Sequence, residues 1–195
     1  MLIFSLFSLN QLDSFGKFTN PCSATSSEQS FQHDQKKDTL LKRDQVIILG
    51  DSCLNNVQLG DIQFRFIPFI RFSDFPTYPI YKGRNARIDY SSNPTARQFR
   101  TRITNTYKSE GVNFAGHYCF VSWGCGSSCQ QSALVDARTG KVYDGPFAGG
   151  GYKFQKDSRM LIVNPPDDSG WYLDIPYIIP EVHIWIEQSK RFEKR

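Results

Sequence analysis

Beyond Gly111 the chain changes to a period of two, and this change constrains the fold more than any other feature of the sequence. In His117-Tyr-Cys-Phe-Val-Ser-Trp123, His117, Cys119, Val121 and Trp123 fall on one face of a strand, and Tyr118, Phe120 and Ser122 on the other. Gly124, Gly126 and the two serines then make a tight loop, and Ala133-Leu-Val135 returns the chain. Arg138-Thr-Gly-Lys141 turns it again into a third strand that begins at Lys141-Val-Tyr143. Strands joined by such short turns form an antiparallel meander.

Upstream stands the clearest helix signal. Asn93 is a good N-cap and Pro94 suits the first helical position, where its missing N–H removes nothing. Ala96, Phe99, Ile103 and Tyr107 recur at spacings of three and four, which predicts one amphipathic helix over 94–108, ended by Gly111. Arg97, Arg100 and Arg102 fall mostly off that stripe and read as a solvated face. Before the helix, Val46-Ile-Ile-Leu49 reads as a strand, and Gln63–Phe72 as an edge strand or two short ones because Pro68 interrupts it. The aromatic and Pro-rich loop Ser73–Pro79 is placed to lay its rings over the core.

Downstream, Gly149-Gly-Gly151 calls for an unusual backbone or a close approach. Tyr152-Lys-Phe154 and Met160-Leu-Ile-Val163 suggest a hairpin about Lys156–Ser158, and Asn164–Gly170 reads as a loop. Glu181-Val-His-Ile-Trp-Ile186 alternates, and a turn at Gln188–Lys190 returns the chain, with a terminal helix as the competing pattern. The chain of 195 residues, 14% aromatic with 16 Phe, has material for one core closed by aromatic packing. The expected fold is α+β, predominantly an antiparallel hairpin meander with one helix. It occupies a single domain over 45–195, behind a leader and polar linker over 1–44.

The formal charge of +4 is modest and spread along the chain, which predicts no nucleic-acid partner. Met1–Leu9 is apolar but far shorter than the ~20 residues of a membrane span, so no stable span is expected. That start suits the core of a signal peptide, and the five cysteines suit an oxidising compartment. We therefore expect an exported protein, periplasmic or extracellular. The pairing of Cys22, Cys53 and Cys119 stays open.

Three of the five cysteines lie between Asn113 and Gln130. The Cys125-x-x-x-Cys129 spacing suits a short disulfide or a pair of metal ligands, and in an exported protein a disulfide that fixes the loop is preferred. The chemical alternative is a thiol hydrolase in which His117 lowers the pKa of Cys125. A metal held by His117 and the cysteines is disfavoured by the Cys119-to-Cys125 spacing, and the glycines form no phosphate-cradling loop, so neither metal nor cofactor is predicted.

Asn113-Phe-Ala-Gly-His-Tyr118, Trp123-Gly-Cys-Gly126 with Cys129-Gln130, and Val135-Asp-Ala-Arg-Thr-Gly-Lys-Val142 together resemble a family of uncharacterised, mostly exported bacterial proteins. The resemblance covers roughly residues 90–163. It implies a small β-rich domain with a Cys-x-x-x-Cys loop and supplies no activity. Cys119 stands outside the family pattern, which assigns it to packing. Val46-Ile-Ile-Leu-Gly-Asp-Ser52 separately resembles the first block of the Gly-Asp-Ser esterases, with Ser52 as nucleophile, Asn113 as oxyanion donor and His183 as base. Phe114 and Pro180 stand where that family has Asp, and only one helix is visible where it needs several. The leading expectation is a non-catalytic binding module for a protein or small-molecule ligand. Its predicted contact surface comprises the Gly124–Cys129 loop with Tyr118, Trp123, Gly124, Gly126 and Gln130.

Overall fold

The computed structural model describes residues 38–43, 45–50, 62–68 and 70–195. Among the described residues eleven strands form three antiparallel sheets, so the predicted β-rich α+β class holds. β1 (Asp38–Arg43), β2 (Val46–Gly50), β3 (Ile62–Arg65) and β9 (Trp171–Leu173) make the first, in that order. β4 (Tyr118–Gly126), β5 (Cys129–Asp136) and β6 (Val142–Asp144) make the second, the expected meander. The third has the order β11-β10-β8-β7, built from β7 (Tyr152–Phe154), β8 (Met160–Val163), β10 (Glu181–Ile186) and β11 (Arg191–Lys194).

The predicted helix is present with one interruption. Asn93 caps α1 (Pro94–Gln98) by accepting the Thr95 N–H at 2.6 Å, and α2 (Arg100–Glu110) follows after a break at Phe99. Phe99 leaves helical geometry with its ring 4.7 Å from that of Trp123, so the break falls where the helix meets the sheet. Gly111 closes α2 at a φ of 60°, a left-handed conformation suited to glycine.

The central sheet is buried on both faces, and the alternation along β4 sorts its side chains between two cores. Cys119, Val121 and Trp123, with Ala133 and Val135 of β5, pack against Ala96, Ile103 and Tyr107 of the helices. Tyr118 and Phe120, with Leu134, pack against Leu161, Val163 and Trp185 of the third sheet. That third sheet is covered in turn on its far side, where Met160, Ile162, Val182 and Ile184 meet Phe66, Ile70, Phe72 and Phe75. The predicted covering loop thus supplies one of these rings, Phe75, and the unbroken apolar run of β8 follows from burial of both its faces. Each such side chain fully buried contributes about 1.5–3 kcal/mol.

Three strands depart from the sequence reading. β3 is a single short strand that lies between β2 and β9, inside its sheet and not at the edge. β1 falls inside the stretch read as polar linker, because the charges of Lys42 and Arg43 dilute its apolar signal while its pairing with β2 supplies the order. β9 interrupts the expected succession of hairpins: the chain leaves β8, pairs with β3 in the first sheet, and returns as β10. The C-terminal segment is a hairpin, with Trp185 opposite Phe192, and no terminal helix forms.

Candidate functional site

The Asn113–Tyr118 segment is a backbone device that delivers one side chain. Asn113 Oδ1 accepts the Phe120 N–H at 2.6 Å, while its Nδ2 donates to Phe120 O and to Glu110 Oε2. Phe114 is driven into the core, and Ala115 and Gly116 turn at φ values of 43° and 76°. His117 emerges half-buried beside β5, with its ring centroid 4.1 Å from that of Tyr118.

There it joins a network centred on Glu187. Glu187 accepts hydrogen bonds from Tyr118 Oη at 2.9 Å, Trp185 Nε1 at 3.0 Å and Lys190 Nζ. Arg138 stands 3.4 Å from the same carboxylate, 3.6 Å from Asp136, and donates to His117 Nε2. Acceptance at Nε2 places the neutral ring's proton on Nδ1. Burial, then the Arg138 charge, hold the His117 pKa below its ordinary value. Burial pulls the Glu187 carboxyl upward, but hydrogen bonds from Lys190, Tyr118 and Trp185 outweigh it and hold the pKa down. Lys190 sits at a φ of 54°, a hairpin position that favours glycine.

The second constellation surrounds the disulfide. Cys125 and Cys129 are bonded across the β4–β5 turn, and Gly124–Ser128 is exposed. Behind the loop lies a cleft of about 430 Å³ lined by Ser128, Cys129, Phe147, Asn164, Tyr177 and Ile179 among others. Phe147, Tyr177 and Ile179 are 67%, 87% and 40% exposed, unusual for such side chains. Buried Asn164 fixes their setting. Its Oδ1 accepts the Gly149 and Gly150 N–H groups, both at 2.8 Å, and its Nδ2 donates to Tyr177 O and Ile179 O, both at 3.1 Å. The close approach expected of the glycine run is real: a Cβ on Gly149 would lie 2.6 Å from Tyr177 O. Gln130 and Ala148 exchange backbone hydrogen bonds, which tie this wall to the disulfide loop.

The ring closed by Cys125 and Cys129 is small, so its removal is expected to cost no more than about 2 kcal/mol. Urea unfolding of the Cys125→Ser, Cys129→Ser double variant measures this. A loss above ~4 kcal/mol would mean that the bond supports the sheet and not merely the loop.

The remaining predicted residues fall as follows. Cys125 is no thiolate partner for His117: it is disulfide-bonded, and β4 runs between them, about 26 Å at ~3.3 Å per residue. Asn113 has both Nδ2 hydrogens committed to structural bonds, so it is a loop clamp and not an oxyanion donor. His183 is held by Glu181 at 3.0 Å, and Ser52 lies outside the described residues. Tyr118 and Trp123, expected on the contact surface, are buried at 0% and 4% exposure and lie beneath it. Gly124 and Gly126 are exposed, and Gln130 is half-buried at the cleft wall. Cys119 is a free, buried thiol whose pKa burial pushes up to about 12, which fits its packing role.

Sequence reasoning missed Phe147, Asn164, Tyr177, Ile179, Glu187 and Lys190. The available signal was an aromatic residue beside Pro or Gly in each cleft loop, as at Pro146-Phe147 and Pro176-Tyr177. Among the described residues, no group of three or more His, Cys, Asp or Glu is placed to hold a metal ion. No helix among them is long and apolar enough to cross a membrane. Comparison with protein-family models, curated proteins and solved structures finds no match.

Proposed function

We propose that this is an exported, non-catalytic binding module whose contact surface is the disulfide-fixed loop together with the aromatic cleft behind it. The observation that carries the reading is the joint presence of three exposed apolar side chains on a rigid frame. Phe147, Tyr177 and Ile179 face solvent, while Asn164, Gly149 and the Cys125–Cys129 bond hold the segments that bear them. Anchors held in place lose little conformational entropy on association, and aromatic anchors in rigid settings are where binding energy concentrates. The disulfide supports an oxidising compartment, and the resemblance to a mostly exported family points the same way without supplying an activity.

The test pairs capture with chemistry. The oxidised protein is expected to retain one defined partner from an envelope fraction of its own host. A Phe147→Ala, Tyr177→Ala double variant that unfolds at the wild-type urea concentration is expected to lose at least about 2 kcal/mol of that affinity. Serine- and cysteine-directed covalent probes should label neither protein at an activated rate. Equal retention by the double variant, or rapid labelling of the wild type, would overturn the reading.

A further inference from the structure

The positive charge of the chain is gathered on one layer of the fold. Residues 82–110, which comprise α1, α2 and the segment leading into them, hold seven lysines and arginines against two carboxylates, whereas the rest of the chain has slightly more acidic than basic residues. All seven cations are exposed, and none forms an ion pair among the described residues. The two carboxylates are held in their own turns: Asp89 accepts from the Ser91 N–H and hydroxyl, and Glu110 from Asn113 Nδ2 at 2.6 Å. The adjoining β5–β6 hairpin adds two cations, Arg138 and Lys141, and two carboxylates, Asp136 and Asp144, and so leaves the excess unchanged.

Packing sets these cations side by side. Tyr107 Oη donates to Ala86 O at 3.1 Å and Tyr90 Oη lies 2.5 Å from Thr104 Oγ1, so the segment 84–90 runs beside α2. Ile88 and Tyr90 pack against the core, and Arg84 and Arg87 are exposed. On α2, Ile103 and Tyr107 face the sheet, while Arg102 and Lys108 fall on either side of the opposite ridge. Arg100 lies over Tyr90, its guanidinium carbon 4.4 Å from the ring centroid.

This face offers charge and little else. Ala96, Ile103 and Tyr107 are buried, Phe99 stacks on Trp123, and none of the exposed large apolar side chains lies within 82–110. A single nucleic-acid strand needs rings on which its bases stack, and a protein interface needs a buried apolar centre. Like charges spread across a helix and the segment beside it instead match a plane of anionic groups. The Cys125–Cys129 bond suits an oxidising compartment, where such a plane is a membrane surface and not duplex nucleic acid.

We propose that the helical layer is a peripheral membrane-docking face, which lies on bilayers rich in anionic phospholipid with Arg84, Arg87, Arg102 and Lys108 against the headgroup phosphates. The inference does not rest on the function proposed for the disulfide-loop cleft.

Co-sedimentation of the full oxidised chain with vesicles tests it, using phosphatidylcholine alone or mixed with about one third phosphatidylglycerol. Binding to the mixed vesicles, little to the neutral ones, and loss on raising the salt from about 0.05 to 0.5 M are expected. The neutral vesicles separate charge from apolar contact. Each cation at the surface contributes about fivefold in partition, so Arg84→Gln with Arg87→Gln should weaken binding about tenfold or more. Arg102→Gln with Lys108→Gln should do the same, and serves as the test if the first pair disturbs folding. Lys153→Gln with Lys156→Gln removes exposed cations at β7 and the turn after it, and should leave binding unchanged, as should Phe147→Ala with Tyr177→Ala. Absence of binding to the mixed vesicles, equal binding to neutral ones, an equal loss in the Lys153, Lys156 pair, or preferential capture of a DNA duplex or a sulfated polysaccharide at the same salt would each overturn the proposal.

Discussion

Asn164→Gly is expected to lower the unfolding free energy by roughly 3 kcal/mol and to release the Tyr177 loop from the wall that carries Phe147. The buried amide uses both lone pairs and both N–H groups on four backbone partners. Each bond contributes about 1 kcal/mol net, and a buried partner left unsatisfied adds more. Glycine is the informative replacement because Asn164 sits at a φ of 53°. It keeps that backbone conformation without strain and so isolates the side chain. Asn164→Ala should cost about 1 kcal/mol more through the left-handed backbone. Asn164→Asp retains the acceptor for Gly149 and Gly150 but turns a carboxylate toward two carbonyl oxygens, so it should rescue little.

Urea unfolding gives the stability change, and amide hydrogen exchange at Gly149 and Gly150 shows whether the local clamp has opened. A loss below about 1 kcal/mol with protection retained would mean that water replaces the amide, and that the cleft owes its shape to the disulfide and Gly149 alone. The larger loss would place the rigidity of the cleft in one residue of its lining.

That dependence explains what was legible in the sequence. The β4–β5–β6 meander could be read because its signals are local: period-two alternation, a Gly-rich turn at Gly124–Ser128, and a turn in which Asp136 accepts the Arg138 N–H. The helix could be read from its cap and its stripe, although not its break at Phe99, which depends on contact with Trp123 across the fold. Alternation also separated the two cores on either side of β4, but it could not show that both faces were buried. The sequence pattern accordingly suggests a surface aromatic at Tyr118, whereas it is a core residue with a hydrogen-bonded tip.

The sites were less legible because their residues are distant in the chain. His117 carries a recognisable motif, yet its partners Arg138 and Glu187, and the Lys190 that pairs with Glu187, arrive from the β5–β6 turn and the β10–β11 turn. Asn164 looks like the start of a Pro-rich loop, and only the return of residues 177–179 after the excursion through β9 makes it a clamp. The Gly-Cys-Gly-Ser-Ser-Cys loop was visible as a place, whereas the aromatic cleft behind it is a product of topology.

Glu187→Ala is expected to cost about 2–4 kcal/mol, chiefly because it leaves the buried Tyr118 hydroxyl and Trp185 N–H without their acceptor. The ion pairs to Arg138 and Lys190 are partly exposed and add little, so Glu187→Gln, which keeps one acceptor oxygen, should lose distinctly less. The pH dependence separates the two titrating groups. His117 is harder to protonate in the folded chain than in the unfolded one, so stability should fall as pH drops below about 6.5. Glu187 is easier to ionise when folded, and its contribution should fade below about 4.5. His117→Gln should flatten the upper step alone. In Glu187→Gln the lower step should shrink while the upper one grows, because Glu187 pulls the His117 pKa upward and its loss leaves burial and Arg138 unopposed by that charge. Urea midpoints measured across this pH range provide the test. An unchanged upper step in Glu187→Gln would show that the two groups titrate independently and that the network is a set of separate contacts.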